Sequence, residues 1–193
     1  MEILALAGSP RAESNTKIYI DKCMDFLEKK GHSTETIELR HYDISSCKGC
    51  YGCFQGGGCQ VTGDDFHEIF TKMESAKAII VGSPVYHSSA TPELMSLLNR
   101  AGFCSRWKGT FFSGKIGAPI TVARRAGHNL AFAELLMWFY VNDFVIPGSI
   151  YWNVGVAGGK GESDAHKDWE GMKIIKHFSE NVHWLLQNLT DKE

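Results

Sequence analysis

No stretch of this sequence is at once long, apolar and uncharged. Its most apolar run, residues 130–146, carries Glu134, Asn142 and Asp143, so a buried helix and strand are expected there rather than a membrane span. Charge of one sign is equally scarce. Twenty basic residues stand against 22 acidic ones, for a formal net charge of −2, and no block of like charge occurs. That balance argues against a nucleic-acid or anionic-membrane surface and leaves small molecules and proteins as expected partners. Met1 and Glu2 lead straight into a strand-like run without a basic segment, so no signal peptide is expected and a cytoplasmic location follows. Internal repeats, low-complexity segments and linkers are lacking too, which gives one expected domain over residues 1–193 with a cysteine-rich insert at about 43–63. A chain of 193 residues buries on the order of 70% of its unfolded surface without covalent staples. Its cysteines are therefore free for chemistry.

Four of the six cysteines crowd together as Cys47, Cys50, Cys53 and Cys59, in the spacing C-x2-C-x2-C-x5-C. Two intervening residues make a tight turn whose flanking sulfurs face one point, so the run reads as a metal loop, with a [4Fe-4S] cluster the favoured occupant. Gly49, Gly52, Gly56, Gly57 and Gly58 relieve the backbone where it must curl round a cofactor. Structural zinc stays open as an alternative, although its C-x2-C pairs are usually separate and here they share Cys50. The bacterial ferredoxin run has the same overlap, but its last cysteine is followed by proline, whereas Gln60 follows Cys59 and no second run exists. Disulfides suit small secreted scaffolds rather than a chain of this size. A redox C-x2-C dithiol is the remaining alternative.

Strand and helix patterns alternate along the chain. Strands are expected at 2–7, 34–39, 76–81, 115–123 and 144–150, and helices at 16–30, 65–75, 92–101, 129–141 and 165–189. Thr91-Pro92-Glu93 supplies an N-cap, a first-turn proline and an early acid for the third helix. Such alternation predicts an α/β fold: a doubly wound, flavodoxin-like parallel sheet of five strands in order 2-1-3-4-5, with helices on both faces.

In such a sheet ligands sit beyond the strand carboxyl ends where the order reverses, here between the first and third strands. After the first strand come Gly8, Ser9, Pro10, Arg11, Ala12, Glu13, Ser14, Asn15 and Thr16, where hydroxyls, an amide, a guanidinium and a helix N-terminus converge. This is the chemistry of a phosphate site. A plain N-capped turn at Ser14 or Asn15 accounts for part of the set only. No G-x-G-x-x-G follows the strand, and Gly155 to Gly161 has neither Walker spacing nor a hydroxyl after Lys160, so residues 158–161 read as a flexible loop. One phosphate at the switch point fits FMN. The loop after the third strand, Ser83-Pro84-Val85-Tyr86-His87, offers an aromatic and backbone groups to flank a flavin ring. Tyr86 is equally readable as a core aromatic and His87 as a solvent-facing residue. No catalytic side chain is expected, because flavin N5 takes hydride without a protein base.

Taken together, Gly8-Ser9-Pro10-Arg11 with Ser14-Asn15-Thr16, Cys50-Tyr51-Gly52-Cys53, Cys59 with Asp64-Asp65, and Gly82-Ser83-Pro84-Val85-Tyr86 resemble the NAD(P)H-dependent FMN reductases of flavodoxin-like fold. With Cys47 added, the chain resembles the iron-sulfur flavoprotein branch of that family. The resemblance implies FMN and a [4Fe-4S] cluster on Cys47, Cys50, Cys53 and Cys59. It implies electron transfer between a donor, ferredoxin-like or NAD(P)H, and a small acceptor, in a homodimer or homotetramer. It also implies phosphate contacts at Ser9, Arg11, Ser14, Asn15 and Thr16, ring contacts at Pro84, Val85, Tyr86 and His87, and a third flavin loop from Ala123 and Arg124 to Gly127. The alternative is an NAD(P)H-dependent FMN or quinone reductase whose cysteine loop is structural, zinc-bound or a thiol redox element.

Met95 and Asn99 stand where relatives commonly carry Lys and Asp, and Ala123 and Arg124 where many have glycine, which leaves the donor and acceptor surfaces open. Arg124 and Arg125 are readable as partners of a reduced flavin, of an NADPH phosphate, or of solvent. Cys23 and Cys104 are expected to be ordinary half-buried thiols. The pairs Phe111-Phe112 and Tyr151-Trp152 and the triplet Trp138-Phe139-Tyr140 are expected mainly in the core, with some at a subunit interface or acceptor pocket.

Overall fold

Strand β1, Ile3–Ala7, is apolar at every position and buried at every position, as a strand covered on both faces must be. The computed structural model describes residues 2–189, and Met1 and residues 190–193 of the expected 1–193 domain lie outside them. From β1 the chain runs through α1 (Asn15–Lys29), β2 (Thr34–Glu38), α2 (Phe66–Ser75), β3 (Ala78–Pro84), α3 (Pro92–Lys108), β4 (Ile116–Ala123), α4 (His128–Val141), β5 (Val154–Val156) and α5 (Trp169–Asn188). All strand pairs are parallel, in the order β2-β1-β3-β4-β5. This is the doubly wound flavodoxin-like order expected from the alternation.

The sheet separates two apolar clusters. On one face Tyr19, Ile20, Cys23 and Leu27 of α1 meet Ile175, Phe178 and Val182 of α5 over Ile3, Ala5 and Ile80. On the other, α2, α3 and α4 cover Leu4, Leu6, Ile79 and Val81. Complete burial of each Leu, Ile or Phe contributes about 1.5–3 kcal/mol relative to exposure. The whole of β1 and most of β3 thus act as the ridge on which both layers rest.

Two boundaries differ for reasons the packing supplies. The fifth strand is not 144–150. Only Val145 bridges to Ile116 there, after which Pro147, which has no N–H for a ladder, turns the chain off the sheet until Val154 pairs with Thr121. Phe144, at the start of the expected strand, packs instead against the Trp138 and Phe139 rings. The third helix continues past Gly102 to Lys108, because a Cβ at Gly102 would lie only 3.1 Å from Trp138 Nε1 and the missing side chain lets α3 and α4 close up. The other differences are smaller. Residues 165–167 form a separate 3-10 turn, and Asp168 caps α5 through Gly171 N at 3.0 Å. Thr91 stands at the N-cap position of α3 but does not cap it, because its hydroxyl donates to Gly8 O at 2.7 Å. Residues 158–161 are not free loop, since they include a 3-10 turn whose Gly158 N donates to Asp164 Oδ1 at 2.7 Å.

At the opposite end of the sheet, His32 joins three elements. Its ring nitrogens lie 2.7 Å from Glu2 Oε2 and 2.8 Å from His183 Nδ1 on α5. Burial first, then the nearby His32 and Lys30, hold the His183 pKa below its ordinary value of 6.5. The unfolded chain therefore takes up this proton before the folded one as pH falls. The stability linked to His183 is complete above about pH 6.5 and is lost as the pH drops below it. Urea midpoints measured between about pH 8 and about pH 5 are expected to decline over that lower range, and His183→Gln should flatten the decline. An unchanged profile in the variant would assign the acid sensitivity elsewhere.

Candidate functional site

β1 ends at Ala7 opposite Gly82, β3 runs two residues further to Pro84, and the crevice opens at these carboxyl ends. Gly8 N donates to Gly82 O at 2.8 Å and the Thr91 hydroxyl ties Gly8 O to the start of α3, which fixes the floor. Of the five candidate phosphate contacts, Ser14 caps α1 through Lys17 N at 3.2 Å, Ser9 Oγ accepts from Arg11 N at 3.3 Å, and Thr16 is buried. Asn15 plays a second part that its position alone did not suggest. Its amide donates to Glu162 O at 2.7 Å and accepts from Asp164 N and Ala165 N, each at 2.8 Å. The Arg11 guanidinium donates to Gly161 O. The turn after β5 thereby becomes a fourth wall beside the N-terminus of α1.

The ring side of the crevice is a tight hairpin. Tyr86 and Ser89 exchange backbone hydrogen bonds of 2.8 and 2.9 Å across His87 and Ser88, whose φ values of 50° and 68° are both left-handed. Two non-glycine residues in that region cost on the order of 1–3 kcal/mol each and persist only where their surroundings enforce them. Glu134 of α4 does so, accepting from Ser89 Oγ at 2.9 Å and from Ala90 N at 2.8 Å. The third loop closes on the same hairpin. Gly127, at φ 92°, has no room for a side chain, since a Cβ would stand 2.8 Å from Val85 Cγ1. Pro84 and Val85 are half-buried, Tyr86 and His87 are exposed along the rim, Ala123 is half-buried, and Arg124 and Arg125 face solvent. Hydroxyls, a guanidinium and a helix N-terminus at one end, with an aromatic and an apolar rim at the other, form a cradle whose chemistry fits a phosphorylated flat ring.

The cysteine segment lies along the outer side of α3, and its two ends are pinned by consecutive carboxylates. Asp65 Oδ2 accepts from Asp43 N at 2.8 Å and Asp64 Oδ2 from Ser45 N at 2.9 Å. Between these pins the backbone reverses sharply, with Tyr51 left-handed at φ 55° at the entry to a 3-10 turn over Gly52–Gln55. Cys47, Cys50, Cys53 and Cys59 all line one pocket, together with Val61, Arg100, Phe103 and Cys104. None of the six cysteines is joined in a disulfide. Among the described residues no group of three or more His, Cys, Asp or Glu side chains is arranged to hold a single metal ion. Four soft thiols round one pocket suit the chemistry of an iron-sulfur cluster, whose cysteines bind separate irons.

The sequence reading placed neither Cys104 nor Arg100 in this pocket. Cys104 is fully buried rather than half-buried. Its enclosure, with Cys59 and Cys53 beside it, pushes its thiol up to about 12. Cys23 is likewise fully buried, and burial, against a lowering hydrogen bond with Ser179, raises its thiol to about 12. Arg100 is the larger omission. It is 1% exposed, donates from Nε to Cys59 Sγ at 3.2 Å, and pairs with Asp64, whose side chain is 2% exposed. Burial opposes the Asp64 charge, but hydrogen bonds from Arg100, Ser45 and Phe66 outweigh it and hold the carboxyl below its usual range. The signal was present, since Leu97, Arg100, Ala101 and Cys104 follow helical spacing on one stripe, and a cation on an apolar stripe demands a buried partner.

Known proteins share the sequence pattern and the fold. A family model described as NADPH-dependent FMN reductase matches residues 1–159. An iron-sulfur flavoprotein of Methanocaldococcus jannaschii is 28% identical, over 94% of this chain and 95% of that protein. One from Methanosarcina thermophila is 27% identical over the whole of both chains. Among solved structures, RosB with a bound 8-demethyl-8-formylriboflavin-5'-phosphate intermediate superposes with a TM-score of 0.75 at 17% identity, covering 97% of this chain and 81% of that one. No helix among the described residues is long and apolar enough to cross a membrane.

Proposed function

This chain belongs to the NADPH-dependent FMN reductase family and is a flavin-containing redox protein of that family. From that premise we propose that it binds FMN in the crevice above β1 and β3 and a [4Fe-4S] cluster in the cysteine pocket. On this reading it moves electrons between a donor, ferredoxin-like or NAD(P)H, and a small acceptor. The single observation that supports it most is the convergence of Cys47, Cys50, Cys53 and Cys59 on one pocket beside a buried guanidinium. The relatives named iron-sulfur flavoproteins add to it. FMN supplies hydride exchange at N5 when bound, and a cluster supplies one-electron exchange.

The chain's own residues bind and orient. Ser9, Ser14 and Thr16, with the Arg11 guanidinium and the backbone N–H of Asn15, hold the phosphate at the positive end of α1. Pro84, Val85, Tyr86 and His87 flank the ring, and Ala123, Arg124 and Gly127 close the third side. Glu134 keeps the hairpin in place. The reading extends to one cytoplasmic domain with the cysteine segment as an insert. It extends also to a homodimer or homotetramer, for which the apolar outer face of α4 is the support, because Leu130, Met137, Tyr140 and Val141 are all more than half exposed.

The deciding experiment is iron, acid-labile sulfide and flavin analysis with an absorbance spectrum on protein purified without oxygen. Iron and sulfide near about four per chain, with one FMN, are expected. FMN with zinc, or with no metal, would overturn the cluster and favour a simple flavin reductase. A second check reads the phosphate site. Arg11→Ala is expected to weaken FMN about tenfold while leaving riboflavin affinity near wild type, in keeping with the loss of one charge-assisted hydrogen bond. Equal losses for the two flavins in a fluorescence titration would argue that Arg11 does not meet the phosphate.

A further inference from the structure

Arg100 occupies a position that packing alone would give to leucine or methionine. Every hydrogen bond it makes goes to the cysteine segment or to the carboxylate that pins it. Nε donates to Cys59 Sγ at 3.2 Å, Nη1 to Ser45 O at 3.0 Å, Nη2 to Val61 O at 2.8 Å, and both terminal nitrogens reach the Asp64 carboxylate. Its guanidinium carbon lies 3.9 Å from the centre of the Phe66 ring, which closes the remaining face to water. Taking a guanidinium out of water is costly, and an apolar side chain of similar volume often serves stability as well or better. A cation kept here thus calls for a task beyond packing.

We propose that Arg100 is a positioning residue that fixes Cys59 and raises the reduction potential of a [4Fe-4S] cluster held in this pocket. The inference rests on the cluster reading above. Reduction adds one electron to a cluster already bound by four thiolates, and a buried cation stabilises that added charge far more than one in water would. The N–H···S bond to Cys59 strengthens in the same direction, because sulfur becomes more electron-rich on reduction. Arginine suits the role because it cannot escape by losing its proton. Asp64 offsets part of the field, and it also anchors the segment through Ser45 N.

That pairing dictates the test. Arg100→Gln alone would leave the Asp64 charge buried and unpaired, so the comparison is made on an Asp64→Asn background, whose side-chain oxygen can still accept from Ser45 N. Midpoint potentials come from anaerobic redox titration followed by absorbance and EPR, with iron and sulfide counted for each variant. Asp64→Asn is expected to titrate above the wild type, and Asp64→Asn with Arg100→Gln well below Asp64→Asn, with iron retained in both. Arg100→Met on the same background fills the volume with an apolar chain and should give the same lowering if the glutamine variant does not fold. Equal potentials with and without Arg100 would overturn the proposal. Wild-type protein without iron and sulfide would instead sink the cluster reading, a failure told apart by analysis before any titration.

Discussion

Replacing Cys50 by alanine is expected to remove iron and acid-labile sulfide almost entirely while one FMN per chain stays bound. The two losses separate because the two sites are held by different parts of the molecule. Cys50 is exposed, within a segment pinned at its ends by Asp64 and Asp65. The crevice is held by Thr91 on Gly8 and by Glu134 on the hairpin, and none of these bonds involves residues 43–63. A cubane that loses one of four thiolates loses one iron's anchor, and an exposed corner is the one most open to solvent attack. Iron analysis and the flavin spectrum of the purified variant read both halves of the outcome. Full iron retention would remove Cys50 from the ligand set and return the loop to the zinc or dithiol alternatives. Loss of FMN together with iron would show that the cysteine segment supports the crevice after all.

Much of this arrangement was legible in the sequence, and the parts that were not share a cause. Apolar runs and turn residues specify β1, β3 and the alternation of layers because strands covered on both faces admit little but Val, Ile, Leu and Ala. The candidate loops follow from the switch point of that sheet, since strand order dictates where a crevice opens. Local pattern failed wherever a distant partner decided the outcome. Pro147 and the aromatic cluster around Phe144 moved the fifth strand to Val154–Val156. Trp138 across the helix interface carried α3 through Gly102, which in isolation reads as a stop. Asn15 reads as a phosphate ligand from its place in the loop, yet its amide is occupied by residues nearly 150 positions later in the chain. Arg100 and Cys104 follow the same rule. Their role comes from a pocket assembled by a separate segment, which helical spacing alone cannot bring to them.

The helix that carries Arg100 depends on an aromatic cluster beneath it, and Phe112 is the hub. Phe112 is completely buried, with ring centres 4.9 Å from Phe111, 5.3 Å from Phe144 and 5.5 Å from Trp138. Its amide is tied to Ser105 Oγ of α3 at 3.3 Å, so the ring and the helix end are fixed together. Phe112→Ala is expected to cost about 3–5 kcal/mol, the range for truncating a buried phenylalanine whose neighbours cannot fully collapse into the space. Removing its edge-to-face packing on Phe111 and Trp138 pushes the cost toward the upper part of that range. Against a typical total of about 5–15 kcal/mol this is a large share, so the urea midpoint should fall steeply with little change in slope. A loss under about 1 kcal/mol would mean that Trp138 and Phe144 move in to fill the gap, and the cluster would then be plastic rather than a fixed base. The same measurement bears on function, because α3 positions Arg100 and Cys104 at the cysteine pocket while its first turn holds Thr91 at the crevice floor. A Phe112→Ala protein that stays folded yet loses iron faster than FMN would place the dependence at the far end of α3. Equal loss of both would place it along the whole helix.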